Sequence, residues 1–113
     1  MLTSLWQDRH PRVPGEPGEV GGSWDVVVVG GGITGLTTAL LLARAGRSVA
    51  VLEARYVGAG TTGRSTTKVS LLQGTQLSRI ARRQPQDLVA HYVRANTEAQ
   101  AWVEQFCAGS GVA

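Results

Sequence analysis

Three glycines at fixed spacing are the residues of this chain that most clearly suggest chemistry. Gly30, Gly32 and Gly35 form the pattern G-x-G-x-x-G directly after four consecutive valines. In this pattern the first glycine makes a tight turn, the second lets the backbone approach a diphosphate, and the third lets helix and strand pack closely. Free N–H groups of Ile33 and Thr34, at the start of the following helix, would then point at the phosphates. The spacing therefore predicts a dinucleotide site.

A carboxylate follows at the distance that such a site requires. Glu53 closes a second apolar run and lies 18 residues after Gly35. A carboxylate at the end of the second strand accepts hydrogen bonds from the ribose hydroxyls of an adenosine, and it repels a 2′-phosphate. Glu53 therefore favours FAD or NAD over NADP, the alternative being a solvated acid at a strand end.

The segment after Glu53 bears on the choice between FAD and NAD. Gly58, Gly60 and Gly63 alternate there with hydroxyl residues in "EARYVGAGTTGRSTTKVS". An ordered loop of this kind can wrap the far half of an extended dinucleotide and offer backbone N–H groups to its second phosphate. Arg64 fits either a phosphate contact or a solvated loop position.

The elements that must hold these residues form a βαβ unit. "DVVVVG" is typical of a parallel strand buried on both faces, and "RSVAVLE" predicts the second strand. Between them, "ITGLTTALLLARAG" predicts a helix that Ala39 keeps close to the sheet and that Gly46 ends. The predicted fold class is α/β, a partial Rossmann-like FAD/NAD(P)-binding fold with one further helix, truncated.

The remaining segments set the expected domain limits. Residues 1–23 hold three of the four prolines and no apolar period, which predicts a flexible N-terminal arm. From Pro85, apolar residues at three- and four-residue steps predict a second amphipathic helix that ends before Gly109. The positions of that apolar stripe are Leu88, Tyr92, Ala95, Ala99, Trp102 and Phe106. Residues 24–113 are therefore expected to be the N-terminal part of an incomplete cofactor-binding domain.

Composition excludes several other classes of protein. The net charge of +3 comes from ten arginines and one lysine without a basic stripe, which argues against nucleic-acid binding. Cys107 is the only cysteine, and His10 and His91 have no metal-ligand spacing, so no metal site is expected. No secretory signal or membrane-spanning run is present in the sequence, and a cytoplasmic protein is expected.

The segment from "DVVVVGGGITG" to "GAGTTGRSTTKVS" resembles the N-terminal FAD-binding segment of a known superfamily. This is the D-amino-acid oxidase/glycine oxidase-like superfamily of FAD-dependent oxidoreductases. The resemblance covers about residues 24–109. The stretch "GAGTTGRSTTKVSLLQG" is similar to members in which a Rieske iron–sulfur domain follows the flavin domain. Rieske ligands themselves are absent from these 113 residues.

The resemblance implies a role for each residue that matches the motifs. Gly30, Gly32, Ile33, Thr34 and Gly35 would hold the FAD diphosphate. Glu53 would hold the adenosine ribose, with Ala54 and Arg55 at the adenine end. Gly60, Thr61, Thr62, Gly63, Arg64 and Ser65 would lie along the diphosphate and ribityl chain. Thr66, Thr67 and Lys68 would approach the flavin ring.

The function that follows is inherited from this resemblance. The intact enzyme would take a hydride from a small substrate, often at a carbon beside an amine nitrogen, and pass it to flavin. No catalytic residue can be named within 113 residues, and this chain alone is not expected to turn over substrate. The alternatives are a non-catalytic dinucleotide-binding fragment and an NAD-binding dehydrogenase domain.

Overall fold

The computed structural model describes residues 4–9, 12, 13, 15, 21–71 and 73–110. The chain divides into two compact units, Met1–Thr66 and Thr67–Ala113. Along the described residues the elements are α1 (Leu5–Arg9), β1 (Val26–Val29), α2 (Ile33–Arg44), β2 (Val49–Leu52), the 3-10 helix η1 (Thr62–Arg64), α3 (Gln76–Ala81) and α4 (Gln86–Ser110).

A βαβ unit forms the centre of the first compact unit. β1 and β2 pair in parallel, with Val26 opposite Val49 and Val29 opposite Leu52. Because parallel neighbours need a crossover, α2 occupies the connection and packs against both strands. The fold is mixed α/β with a two-stranded parallel sheet, and the predicted strand–helix–strand order is confirmed.

Helix α2 ends where the sequence predicted. Gly46 adopts a left-handed φ of +79°. Its N–H donates to the Ala43 carbonyl at 3.0 Å, and the N–H of Arg47 donates to the Leu42 carbonyl at 3.1 Å. These two bonds form a Schellman motif, which a residue without a Cβ adopts at the least cost. Ala39, the predicted close contact to the sheet, is buried.

The valine run, which is typical of a strand buried on both faces, is packed on one face only in the described residues. Val26 and Val28 are half-buried, whereas Val27 and Val29 are 47% and 83% exposed. The physical reason is that alternate side chains of a strand point to opposite faces. In the described part of the first unit only one face of the sheet is packed by a helix, α2.

The N-terminal segment is more regular than predicted. Leu5–Arg9 is helical and contacts η1, so this part of the expected arm is ordered. The composition of this segment did not predict the helix, because Trp6 bonds to Ser65, which lies 59 residues further along the chain. No local sequence pattern reveals such a contact. His10 and most of residues 14–20 lie outside the described residues. The domain limit between residues 23 and 24 stays a prediction.

The second compact unit consists of α3 and α4, which pack against each other. The predicted start of α4 after Pro85 is confirmed, but the predicted end before Gly109 is wrong because the helix continues to Ser110. Gly109 is not among the glycines with positive φ, so it does not adopt the conformation that terminates helices. A glycine inside a helix costs only about 1 kcal/mol relative to alanine.

The buried face of α4 differs from the predicted apolar stripe. Tyr92, Trp102 and Phe106 are half-buried as expected, and the rings of Trp102 and Phe106 stack with centroids 5.3 Å apart. Leu88, Ala95 and Ala99 are exposed. Other residues take part in the half-buried face, namely Val89, Asn96, Gln100 and Val103. Polar residues enter this face because Asn96 and Tyr92 both bond to Gln73.

Two further observations concern the described residues as a whole. None of their helices combines the length and the apolar character needed to cross a membrane. Within the same residues no group of three or more His, Cys, Asp and Glu side chains lies close enough together to hold a metal ion. The absence of a metal site stays a prediction.

Candidate functional site

The site begins at the turn between β1 and α2, where Gly30 reverses the chain. Gly30 has a φ of +109°, a region that L side chains rarely adopt. Its N–H donates to the Leu52 carbonyl at 2.7 Å and so extends the parallel ladder by one bond. The tight turn predicted at Gly30 is confirmed.

Gly35 provides the close approach of helix α2 to the strand. A Cβ placed on Gly35 would overlap the Gly30 carbonyl oxygen and would lie 3.2 Å from a methyl carbon of Val28. Any larger residue would therefore push the first turn of α2 away from β1. Because the turn and the helix start are linked in this way, the backbone N–H groups of the glycine turn are held at one edge of the sheet.

The protein itself provides hydrogen-bond acceptors for only some of the backbone N–H groups at the N-terminus of α2. The N–H of Ile33 donates to the hydroxyl Oγ1 of Thr62 at 3.0 Å, so the expectation that this N–H is free is wrong. Among the residues that the structure describes, the N–H groups of Gly32, Thr34 and Gly35 have no hydrogen-bond acceptor. Unsatisfied donors with the positive end of a helix dipole form a ready site for an anion.

Glu53, which directly follows β2, is hydrogen-bonded to the same glycine turn. Its Oε2 accepts a hydrogen bond from the N–H of Gly31 at 2.8 Å, and its Oε1 accepts one from the N–H of Arg55 at 3.0 Å. The bond from Gly31, followed by that from Arg55, holds the pKa of Glu53 below its ordinary value. Glu53 is therefore ionised at neutral pH and fixes the middle glycine of the turn.

The loop after β2 is tied to the glycine turn by backbone contacts as well. The N–H of Gly58 donates to the Gly31 carbonyl at 2.9 Å, and the N–H of Gly63 donates to the Gly58 carbonyl at 3.0 Å. Gly58 has a φ of +73°, and a Cβ on Gly63 would overlap the Gly58 carbonyl oxygen. These contacts place the 3-10 helix η1 beside the start of α2, where Thr62 reaches Ile33.

The remaining predicted residues differ in exposure, and two of them fall in the second compact unit. Ala54, Arg55, Thr61, Arg64, Ser65 and Thr66 are all exposed in the first unit, whereas Gly60 is half-buried. The Arg55 guanidinium lies near Gly60, because a Cβ added there would be 3.8 Å from Arg55 Nη2. Lys68 belongs to the second unit, as does Thr67. The contacts of these residues with a cofactor stay predictions.

Sequence reasoning missed Gly31 and the N-terminal helix. Gly31 donates to Glu53 and accepts from Gly58, so it joins the turn, the carboxylate and the loop. Gly58 was predicted as a glycine of the loop, but its hydrogen bond to the Gly31 carbonyl was not predicted. Trp6 donates to the Ser65 carbonyl at 2.9 Å, and no sequence signal predicts that contact.

The donor set fits the diphosphate of a dinucleotide. Three N–H groups at one helix end lack an acceptor within the described chain, and Gly32 presents no side chain there beyond its Cα. A diphosphate supplies the oxygens that these donors require. The Glu53 carboxylate already accepts hydrogen bonds from two backbone N–H groups, those of Gly31 and Arg55.

Comparisons with known proteins identify the family of the chain. The model of the family described as FAD dependent oxidoreductase (DAO) matches residues 25–113. The gamma-glutamylputrescine oxidoreductase of Escherichia coli (strain K12) is 61% identical over 41 residues, which are 36% of this chain and 10% of that protein. The sarcosine oxidase subunit beta of Rhizobium meliloti (strain 1021) is 52% identical over 46 residues, 39% of this chain and 11% of that protein.

A third relative carries a different description. The Bacillus subtilis (strain 168) protein YhfW, named as a Rieske 2Fe-2S iron-sulfur protein, is 50% identical over 46 residues, 41% of this chain and 9% of that protein. No solved structure gave a significant match. The matched segments thus span about a tenth of each relative's length, while the family model covers most of this chain. The chain belongs to the FAD dependent oxidoreductase (DAO) family and uses FAD as its cofactor.

Proposed function

We propose that the glycine turn, the start of α2 and the loop as far as Ser65 bind the ADP half and the diphosphate of FAD. The observation that carries this proposal is the set of acceptor-free N–H groups on Gly32, Thr34 and Gly35. The βαβ unit would then be the first part of a Rossmann-like FAD-binding fold. The family membership favours FAD over the alternative of an NAD-binding dehydrogenase domain.

The residues of this chain would bind and orient the cofactor. The N–H groups at the start of α2 would neutralise diphosphate charge, and the helix dipole would add to that effect. Glu53 would accept hydrogen bonds from the adenosine ribose while it keeps Gly31 in place, since each carboxylate oxygen can accept more than one bond. When bound, FAD supplies an acceptor for a hydride from substrate.

The substrate class follows from the relatives and belongs to the proposal. Two of the relatives are named for compounds that contain an amine, gamma-glutamylputrescine and sarcosine. We therefore propose that the whole protein oxidises a small amine or amino acid and works in the cytoplasm. The name of the relative YhfW supports the further proposal that the whole protein to which this chain belongs also contains a Rieske domain. A non-catalytic dinucleotide-binding fragment remains the second candidate, favoured by the absence of a nameable catalytic residue in these residues.

The first prediction concerns Gly32. A valine at this position would fill the space that the proposal gives to the diphosphate, so Gly32→Val should abolish retention of FAD by the full-length protein. The measurement is the flavin absorbance per protein after purification. Gly109→Val is the matched control, because a Cβ on Gly109 meets nothing within 4 Å.

A second variant separates two kinds of steric conflict. A Cβ on Gly32 would also lie 3.2 Å from Thr62 Oγ1, so the valine could disturb the loop instead of the cofactor. In Gly32→Val/Thr62→Ala that internal conflict is relieved, and FAD should still be lost. A full complement of flavin in either variant would show that the diphosphate lies elsewhere.

A further inference from the structure

The N-terminal helix α1 contacts the proposed cofactor loop although it lies outside the family-matched residues. The match covers residues 25–113, whereas α1 is Leu5–Arg9. The indole N–H of Trp6 donates to the Ser65 carbonyl at 2.9 Å. Ser65 directly follows η1, at the point where the backbone becomes extended. Trp6 therefore holds the end of the loop at a fixed distance from α1.

Two more contacts hold the loop at other points. The Nε2 atom of Gln7 is buried against Gly63, since a Cβ on Gly63 would lie 2.9 Å from it. The Arg12 guanidinium lies over the ring of Tyr56, 4.5 Å from its centroid, in a cation–π arrangement. The start, the later part and the end of the loop from Tyr56 to Ser65 thus each meet the N-terminal segment.

The N-terminal segment and the loop are in close contact at Gln7 and leave an open pocket beside that contact. A cavity of about 200 Å³ is lined by residues of both segments. Its lining includes Trp6, Gln7, Arg12, Val13, Tyr56 and Val57. Within the described residues Gln7 Nε2 has no hydrogen-bond partner, which is unfavourable for a buried donor. The hydrogen bond of Trp6 is the directional contact that joins α1 to the end of the loop.

The loop is hydrogen-bonded directly to the glycine turn and to the start of α2, where the proposed phosphate donors lie. Thr62 lies three residues before Ser65 and accepts the N–H of Ile33 at 3.0 Å. Gly58 donates to the Gly31 carbonyl at 2.9 Å. A shift of η1 would therefore change the hydrogen bonds at the first turn of α2. This path links Trp6 to the donors without any contact between Trp6 and the cofactor.

We propose that the described residues of the N-terminal segment, α1 (Leu5–Arg9) together with Arg12, form a positioning element for the FAD loop, with Trp6 as its main positioning residue. The inference rests on the proposed function, because it requires FAD to lie against the loop and the start of α2. Its consequence is that FAD affinity depends on residues that precede the family domain. Because Trp6 acts through Ser65 and η1, loss of its hydrogen bond should make the loop less ordered and also weaken the affinity for FAD.

The test compares two identical substitutions at two tryptophans. Trp6→Phe keeps an aromatic ring but removes the donor to Ser65. Trp24→Phe is the matched control, because the Trp24 indole N–H also donates to a backbone carbonyl, that of Gly21 at 3.3 Å, away from the loop. We expect the FAD dissociation constant of the full-length apoprotein to rise about two- to tenfold in Trp6→Phe, the range for one hydrogen bond, and to stay unchanged in Trp24→Phe.

A second readout needs no cofactor. Arg64 is exposed at the end of η1, and trypsin cleaves after arginine. Loss of the Trp6 contact should raise the rate of tryptic cleavage between Arg64 and Ser65 in the apoprotein, as followed by mass spectrometry. The control variant should be cleaved at the wild-type rate.

The outcomes distinguish this inference from the proposed function. If Gly32→Val loses FAD while Trp6→Phe keeps wild-type affinity and cleavage rate, the positioning role is overturned and the cofactor site stands. If Gly32→Val keeps FAD, the cofactor site is overturned and the role of Trp6 toward FAD falls with it. Faster cleavage with unchanged affinity in Trp6→Phe overturns the link from the loop to the cofactor.

Discussion

At the scale of single residues, Glu53 has a structural role that is separate from any contact with a cofactor. Both of its carboxylate oxygens accept backbone hydrogen bonds, one from Gly31 and one from Arg55. A contact with ribose would therefore add to an existing structural role and not replace it. Removal of the charge should affect the shape of the glycine turn as well as the adenosine end of the site.

We expect Glu53→Gln to weaken FAD binding about two- to tenfold, because an amide has one acceptor oxygen and can serve only one of the two N–H groups. Glu53→Ala should weaken it further, since both acceptors are lost. Titration of the apoprotein with FAD measures the effect, and Glu98→Gln on the exposed face of α4 is the control. Unchanged affinity in both Glu53 variants would contradict a role at the site.

The same prediction has a pH dependence of definite sign. The pKa of Glu53 in the folded protein lies below its ordinary value, chiefly through the Gly31 N–H. Its stabilising effect is therefore fully present above the ordinary carboxyl pKa and is lost as the pH falls through the lowered one. The difference in FAD affinity between wild type and Glu53→Gln should be constant near neutral pH and shrink only in acid.

Part of the site follows from residue types, and part depends on the three-dimensional arrangement. Gly30 and Gly35 were predictable because their roles are local, a left-handed turn and a close approach within one βα unit. The partner of the Ile33 N–H was not predictable, because Thr62 lies 29 residues away. The glycine spacing predicts which backbone N–H groups lie near a phosphate. It does not predict which of these N–H groups already donate to another residue of the protein.

At the scale of elements, the start of the parallel sheet is held by a side-chain clamp between Asp25 and Ser48. Asp25 Oδ2 accepts from the N–H of Ser48 at 2.8 Å and from its hydroxyl at 2.9 Å. The N–H of Asp25 in turn donates to Ser48 Oγ at 3.0 Å. These bonds lower the pKa of Asp25, the backbone bond most and the hydroxyl bond next. The clamp sets the register of β1 against β2 at the end opposite to the glycine turn.

We expect Ser48→Ala to lower the melting temperature of the full-length protein by a few degrees, about the effect of one or two lost hydrogen bonds. Ser23→Ala, an exposed serine just before β1, is the control. Because the folded pKa of Asp25 is depressed, the clamp is present at neutral pH and is lost as the pH falls through that value. Equal melting temperatures for the two variants at neutral pH would show that the clamp contributes nothing.

Sequence patterns predicted the elements better than their limits. The β1–α2–β2 order and the Gly46 end of α2 follow from strong local signals, a valine run and a left-handed glycine. Helix α3 was not predicted, because its six residues are too short to show a period. The face of α4 was misplaced because Asn96 is held by bonds to Gln73 and to the Tyr92 carbonyl.

At the scale of the whole molecule, the described residues bury very little apolar surface. Ala39 and Ala59 are their only buried hydrophobic residues. Large side chains of the βαβ unit are exposed, including Val29 at 83% and Ile33 at 63%. Burial of apolar side chains is the main favourable contribution to folding, at about 25 cal/mol per Å². These residues therefore gain little of it by themselves.

We expect residues 1–113 expressed alone to bind FAD weakly, to turn over no substrate and to associate through the exposed face of the valine strand. Solubility, bound flavin and thermal melting, recorded with and without added FAD, test this expectation. The full-length protein under the same conditions is the control. A soluble, yellow segment that melts cooperatively would contradict it and would establish a minimal flavin-binding domain.

If the FAD diphosphate binds at the start of α2 as proposed, the bond from the Ile33 N–H to the Thr62 hydroxyl would make its binding there an exchange of acceptors. A phosphate oxygen that reaches this N–H must displace a hydroxyl that already accepts its hydrogen. The gain is then the difference between a charged and a neutral acceptor, which is smaller than the value of a new bond. The released hydroxyl becomes a donor that can turn toward the same phosphate. Thr62 would thus determine the free-energy cost of breaking the hydrogen bond at the helix end. Its released hydroxyl would also supply part of the interaction that offsets this cost.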